Sequence, residues 1–218
     1  MTISTLSIEQ LKRLLKSGGV LLRTGQFVLR IQSSIEFVAE GISAMYGNYP
    51  LAEETDFADF HISVEQPRNL RRWIKPQVLF YIDGWTPFKP LALDQAFPVL
   101  EWGLNWCIST RINNQLLIHA AVVEKNGYAL IMPGTPGSGK STLCAALISR
   151  GWRLLSDELT MVSFDDGSVT PLQRPVSLKN ESIEVIRRFN LAATLGRISH
   201  DTAKGSVTHM QVPTEHVR

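Results

Sequence analysis

Cysteine is scarce: Cys107 and Cys144 are the only two in 218 residues. They are too few and too isolated for a disulfide framework or a zinc site, and both sit among apolar neighbours on expected helices, where inert buried thiols belong. No run approaches the ~18 apolar residues that a membrane helix needs. The N-terminus lacks a basic region followed by an apolar signal core, so a cytoplasmic protein without membrane insertion is expected. Charge of one sign is also lacking, since 22 Lys and Arg oppose 20 Asp and Glu for a formal net charge of +2. Without a basic run or stripe, nucleic acid is excluded as an expected partner, and the pairs Arg71-Arg72 and Arg187-Arg188 read as solvated faces.

What is present is ordinary globular material, 44% hydrophobic and 19% charged. Its order suggests two parts. Residues 7–17 read as an amphipathic helix capped by Ser7 and stopped at Gly18-Gly19. Strands are expected at 20–24 and 26–32, joined through Gly25, then a helix over 34–46 ended by Gly47, then strands at 57–64 and 77–83. This makes a small N-terminal α+β domain, 1–92, with linker composition around Pro87 to Pro90. The second domain, 93–218, opens with a helix from Leu93 to Ser109. A strand over Leu116–Val123, a turn at Lys125–Gly127 and a buried strand over Tyr128–Met132 follow as a hairpin-like pair. Another strand is expected over Trp152–Val162, then a turn at Phe164–Ser168. Hairpins of this kind beside a helix imply a mixed sheet in an α/β fold.

Between the Tyr128–Met132 strand and the helix that begins at Thr142 stands Gly134-Thr135-Pro136-Gly137-Ser138-Gly139-Lys140-Ser141, an unbroken G-x-x-x-x-G-K-[ST] loop. Strand, glycine loop and helix is the geometry in which backbone N–H groups and a helix N-terminus surround a polyphosphate. Lys140 would reach the β- and γ-phosphates of ATP, and the Ser141 hydroxyl would ligate Mg²⁺. Leu143, Ala146 and Leu147 recur at helical spacing behind the loop.

Sixteen residues beyond Ser141 stand Asp157 and Glu158, at the end of an apolar strand, where carboxylates face the phosphate crevice of α/β sheets. Adjacent strand residues point to opposite faces, so both acids serve one site only where the strand ends. One would accept the proton of an attacking hydroxyl while the other holds Mg²⁺ directly or through water. His119, within the neighbouring apolar strand, reads either as a satisfied core residue or as a group that orients a carboxylate. Arg174, Lys179 and Lys204 read either as phosphate clamps or as surface groups.

His119-Ala120, the loop, the helix ending at Arg150-Gly151, and Arg153-Leu-Leu-Ser-Asp-Glu158 resemble the catalytic core of bacterial HPr kinase/phosphorylase, whose fold is related to that of phosphoenolpyruvate carboxykinase. The chain is more similar still to the HPr-kinase-related kinase A family found beside exosortase systems, in Leu104-Asn-Trp-Cys107, Ser156-Asp-Glu158, Arg174-Pro-Val-Ser-Leu-Lys-Asn-Glu-Ser182 and Lys204-Gly-Ser-Val-Thr-His209. These motifs span residues 104–209. The resemblance implies a P-loop kinase core, with Asp157 as the base that activates the acceptor hydroxyl, His119 as its hydrogen-bonded partner, and Glu158 as a metal ligand where the parent family has a second aspartate. It also implies assembly as a homo-oligomer. The acceptor would be a hydroxyl of a protein, a peptide or a small molecule, a serine foremost. The glycine-rich catalytic segment of true HPr kinase is replaced by Leu191–His209, so neither reverse phosphorolysis nor the usual carrier protein is implied. The chain ends at Arg218 without a closing element, which leaves part of the kinase sheet or of the acceptor site unaccounted for. Two other uses of the loop stay open: an ATPase or nucleotide switch, and a non-catalytic nucleotide-binding regulator. The adjacent acids favour the kinase.

Overall fold

The computed structural model describes residues 1–53 and 55–217, and all of these but the side chain of Arg71. That side chain, one of the pair expected on a solvated face, lies outside the described residues, as does the chain end at Arg218. Arg72, Arg187 and Arg188 are exposed. The chain forms two compact units, 1–107 and 108–218.

In the first unit, α1 (Ile8–Lys16) starts at Ser7, whose hydroxyl accepts from Gln10 N while the Gln10 side chain accepts from Ser7 N. Its apolar stripe buries Leu11 and Leu15. The strands β1 (Val20–Thr24) and β2 (Phe27–Ser33) form a hairpin turned at Gly25. Next, α2 (Glu36–Met45) carries the chain over to β3 (Phe60–Glu65), which lies parallel to β2. A short α3 (Arg71–Ile74) precedes β4 (Gln77–Ile82) and β5 (Leu91–Ala92), completing a five-stranded sheet in the order β1-β2-β3-β4-β5. One parallel ladder among antiparallel ones makes this sheet mixed.

The long helix α4 (Ala96–Arg111) spans the division between the units. The break falls later than the Pro87–Pro90 composition suggests, because the chain after those prolines still belongs to the first unit. Leu91 and Ala92 pair with β4, and the Tyr46 hydroxyl donates to Glu101 Oε1 at 2.6 Å.

In the second unit, β6 (Gln115–Ile118), β7 (Ala120–Lys125) and β8 (Tyr128–Pro133) precede the loop, and α5 (Lys140–Ile148) follows it. Then come β9 (Arg153–Ser156), β10 (Thr160–Ser163), β11 (Val169–Thr170), β12 (Val176–Lys179), α6 (Glu181–Phe189), β13 (Ser199–Thr202) and β14 (Gly205–Met210). They form three-stranded sheets in the orders β8-β7-β9, β11-β10-β6 and β12-β14-β13, every ladder antiparallel. The mixed sheet expected beside the loop thus belongs to the first unit. Around the loop, β8 and β9 each pair antiparallel with β7, so no ladder there is parallel.

Two expectations about burial are corrected here. The strand before the loop is not buried: β8 is an edge strand, and Tyr128 and Leu130 are exposed. On α5 the buried stripe is Cys144, Ala145 and Ile148, while Leu143 faces solvent. Cys107 and Cys144 are both buried, as expected, and neither is in a disulfide. Among the described residues no helix is long and apolar enough to cross a membrane.

Candidate active site

Both β8 and β9 run antiparallel to β7, so they are parallel to each other, and α5 is the crossover between them. Their C-terminal ends therefore lie at one edge of the sheet, together with the start of β7. The register pairs Ala120 with Pro133 and Val122 with Ser156. Gly134, His119 and Asp157 consequently leave three neighbouring strands at the same edge. Gly134 and Asp157 are two strand spacings apart, roughly 10 Å.

The loop is open to solvent from Gly134 to Gly139. Gly137 and Gly139 adopt φ of +83° and +87°, a region that side chains avoid, which turns the chain sharply enough to start α5 at Lys140. Ser138 N donates to Thr135 O at 3.2 Å inside the loop. Lys140 Nζ bends back to donate to Gly134 O at 2.6 Å and Thr135 O at 3.0 Å. A cation is thus held at the loop's mouth, and the first amides of a nine-residue helix stand beside it.

The strands expected over Leu116–Val123 and Trp152–Val162 are each broken in two, and at the same place. Pairing stops at Val122↔Ser156 and resumes at Ile118↔Thr160 in unchanged register, with three residues skipped on each chain. The skipped residues are His119 to Ala121 and Asp157 to Leu159. Ser156 Oγ donates to Leu159 O at 2.7 Å, closing the bend, and Thr160 Oγ1 donates to Ala120 O at 3.0 Å, tying the two chains across the gap. The acids Asp157 and Glu158 mark the break on one chain, while the apolar run around His119 carries no such mark on the other.

Asp157, 7% exposed, is the most deeply placed acid of the site. Its Oδ2 accepts from Ser177 N at 2.9 Å, and its Oδ1 has no hydrogen-bond partner. Burial and then the charge of Glu158 push its pKa up to about 6, against the pull of the Ser177 amide, the nearby Ser141 hydroxyl and Lys179. The acid and the loop serine are therefore neighbours. Asp157 also helps burial hold the Cys144 thiol well above its usual range, which makes that sulfur unreactive.

Glu158 faces a different environment. Lys179 Nζ lies 3.4 Å from its Oε1. Burial works to raise its pKa, yet Lys179, Lys204 and Arg174 outweigh it and hold the carboxyl below its ordinary value. His209, 2% exposed on β14 opposite Ser177, is driven by burial down to about 3 and stays neutral. Arg174, Lys179 and Lys204, open in the sequence between clamps and surface groups, thus converge on one carboxylate.

His119 is neither a buried strand residue nor a partner of Asp157. It is exposed, lies between β6 and β7, and leaves the Asp157 hydrogen bond to Ser177. Ser177, His209 and Asn180 were not singled out from the sequence as site residues; the motifs Arg174–Ser182 and Lys204–His209 were the signals that contained them. Among the described residues no group of three or more His, Cys, Asp or Glu could cage a metal. No family model, curated protein or solved structure matches this chain.

Proposed function

We propose that the second unit is an ATP- and Mg²⁺-dependent kinase that transfers a γ-phosphoryl group to a hydroxyl, a serine of a protein or peptide foremost. The observation that carries this reading is Asp157: a buried carboxyl with one unpartnered oxygen, beside Ser141 and at the sheet edge from which the loop departs. A bare nucleotide-binding module has no use for a desolvated base there. The likeness of the loop and of Ser156-Asp-Glu158 to the HPr-kinase-related kinases points the same way.

The loop amides and the N-terminus of α5 would receive the β- and γ-phosphates, and Lys140 would exchange its bonds to Gly134 O and Thr135 O for phosphate oxygens. Ser141 would hold Mg²⁺ through its hydroxyl, and Glu158 would reach the ion only by giving up Lys179. The ion supplies neutralisation of charge on the phosphoryl oxygens. The acceptor hydroxyl sits at the unpartnered Oδ1 of Asp157. Its oxygen forms a bond to the γ-phosphorus as the bond to the β,γ-bridging oxygen breaks, ADP leaves with that electron pair, and the hydroxyl proton passes to Asp157. With a pKa of about 6 the carboxyl is ionised at pH 7 and close enough to that pH to take a proton efficiently.

Incubation with γ-labelled ATP, Mg²⁺ and host lysate tests the reading. Label should pass to a discrete acceptor, disappear with Lys140→Ala, and fall by ~10²-fold with Asp157→Asn while nucleotide binding persists. Release of labelled phosphate to water alone would make the protein an ATPase or switch, and tight binding with neither reaction would make it a regulator.

A further inference from the structure

Asn180 sits at φ +52°, directly after β12, and its side chain grips the β13–β14 turn. Its Nδ2 donates to Lys204 O at 3.2 Å and its Oδ1 accepts from Ser206 N at 3.0 Å. A Cβ at Gly205 would fall 2.1 Å from Asn180 Oδ1, so glycine alone permits this clasp. Thr202 Oγ1 closes the same turn by accepting from Lys204 N at 3.0 Å and donating to Gly205 O at 2.6 Å. The outcome is that Lys204, on a two-residue turn, is pinned beside Lys179, the last residue of β12.

These two ammoniums are close enough to repel. Lys204 is held below its usual range by partial loss of solvent and then by the charge of Lys179, with Glu158 opposing. Arg174 lies buried, Lys179 half-buried and Lys204 exposed, and all three act on the Glu158 carboxylate. Beside them Ser177 Oγ, in a residue 7% exposed, is buried without a partner and can donate a hydrogen bond. A strained residue, a forced glycine and an orphaned hydroxyl that can donate, spent around clustered cations, describe a site built for an anion.

We infer that Arg174, Lys179 and Lys204 form a subsite for an anionic group, phosphate or carboxylate, carried by the acceptor next to the hydroxyl that Asp157 deprotonates. The occupant is named as acceptor because the cations reach the chemistry through Asp157 and Glu158, whereas the loop has its own cation in Lys140. Only that naming rests on the kinase reading; the anion site stands without it. An anion here would bridge Lys179 and Lys204, relieve their repulsion and draw Lys179 off Glu158.

The test is calorimetric titration of orthophosphate, and separately of acetate, into the Lys140→Ala protein, where the loop no longer contributes. Phosphate or acetate should still bind. Adding Lys204→Met should weaken that binding at least tenfold, Lys204→Arg should restore it, and thermal melting should show both variants folded. In the chain with Lys140 intact, Lys204→Met should leave the affinity for a fluorescent ATP analogue unchanged. Anion binding that is lost with Lys140→Ala and indifferent to Lys204→Met overturns the inference. So does a tenfold loss of ATP-analogue affinity in Lys204→Met, which would make these cations part of the nucleotide site. A failure of phosphoryl transfer with anion binding intact would count against the kinase and leave the subsite standing.

Discussion

Asp157 is held in a state that costs stability, and the sign of that cost is fixed by its pKa. In the folded chain the carboxyl titrates at about 6, against an ordinary value of 3.8. Between those values the folded state holds the extra proton, so stability falls as pH rises from about 4 to about 6 and stays low above it. A rise of this size corresponds to at most about 3 kcal/mol. Asp157→Asn keeps an oxygen for the Ser177 amide and removes the charge. Urea denaturation should find the variant more stable than the parent by ~1–3 kcal/mol at pH 8, with the gap closing near pH 4. Equal stability at pH 8 would mean that this carboxylate is not desolvated. As the proposed base the same group would set the kinetic profile, so kcat/KM for transfer should rise with pH through about 6 in the parent protein.

At the scale of elements, the short bend between β9 and β10 does what a continued strand could not. Both acids leave the alternating pattern of a strand, so each meets its own surroundings: Asp157 the Ser177 amide and Ser141, Glu158 the three cations. Ser156 Oγ closes that bend on Leu159 O. Ser156→Ala, at a residue 2% exposed, deletes one neutral hydrogen bond and should cost about 1 kcal/mol in thermal or chemical unfolding. Transfer should fall much further than that figure suggests, since the base shifts with the bend. A variant with the stability loss but full turnover would show that the bend does not position Asp157. The loop, its helix and the N-terminal capping of α1 were legible because their signals are local: glycines at fixed offsets, a Ser cap, helical spacing. The acids signalled a strand end at Asp157, but the matching break at His119 was not legible, since Thr160 Oγ1 on Ala120 O acts across 40 residues of sequence. Nor was the exposure of β8, because an apolar run reads the same whether or not its strand lies at a sheet edge. The hairpin that carries Lys204 owes its place to Asn180, 24 residues upstream, a contact no periodicity encodes.

For the whole molecule, every group assigned to nucleotide, base and anion lies in the unit of residues 108–218, while the unit of residues 1–107 owns a mixed sheet and a core of its own. Helix α4 runs through the division, so the two share a length of backbone. Ligand binding stabilises whatever must be folded to bind it. ATP with Mg²⁺ at a hundred times its dissociation constant should add about 2.7 kcal/mol to the opening of the second unit. Hydrogen exchange should register this as slowed amides in the loop, the first turn of α5 and the Asp157–Leu159 bend, with α4 marking how far the effect spreads toward the first unit. Protection distributed evenly over residues 1–107 would show that the two units open together and that the first one takes part in holding the nucleotide. Protection absent from both, at a nucleotide concentration that saturates a fluorescent analogue, would place that analogue somewhere other than the loop. The Lys140→Ala chain supplies the control, because its exchange pattern should ignore ATP throughout.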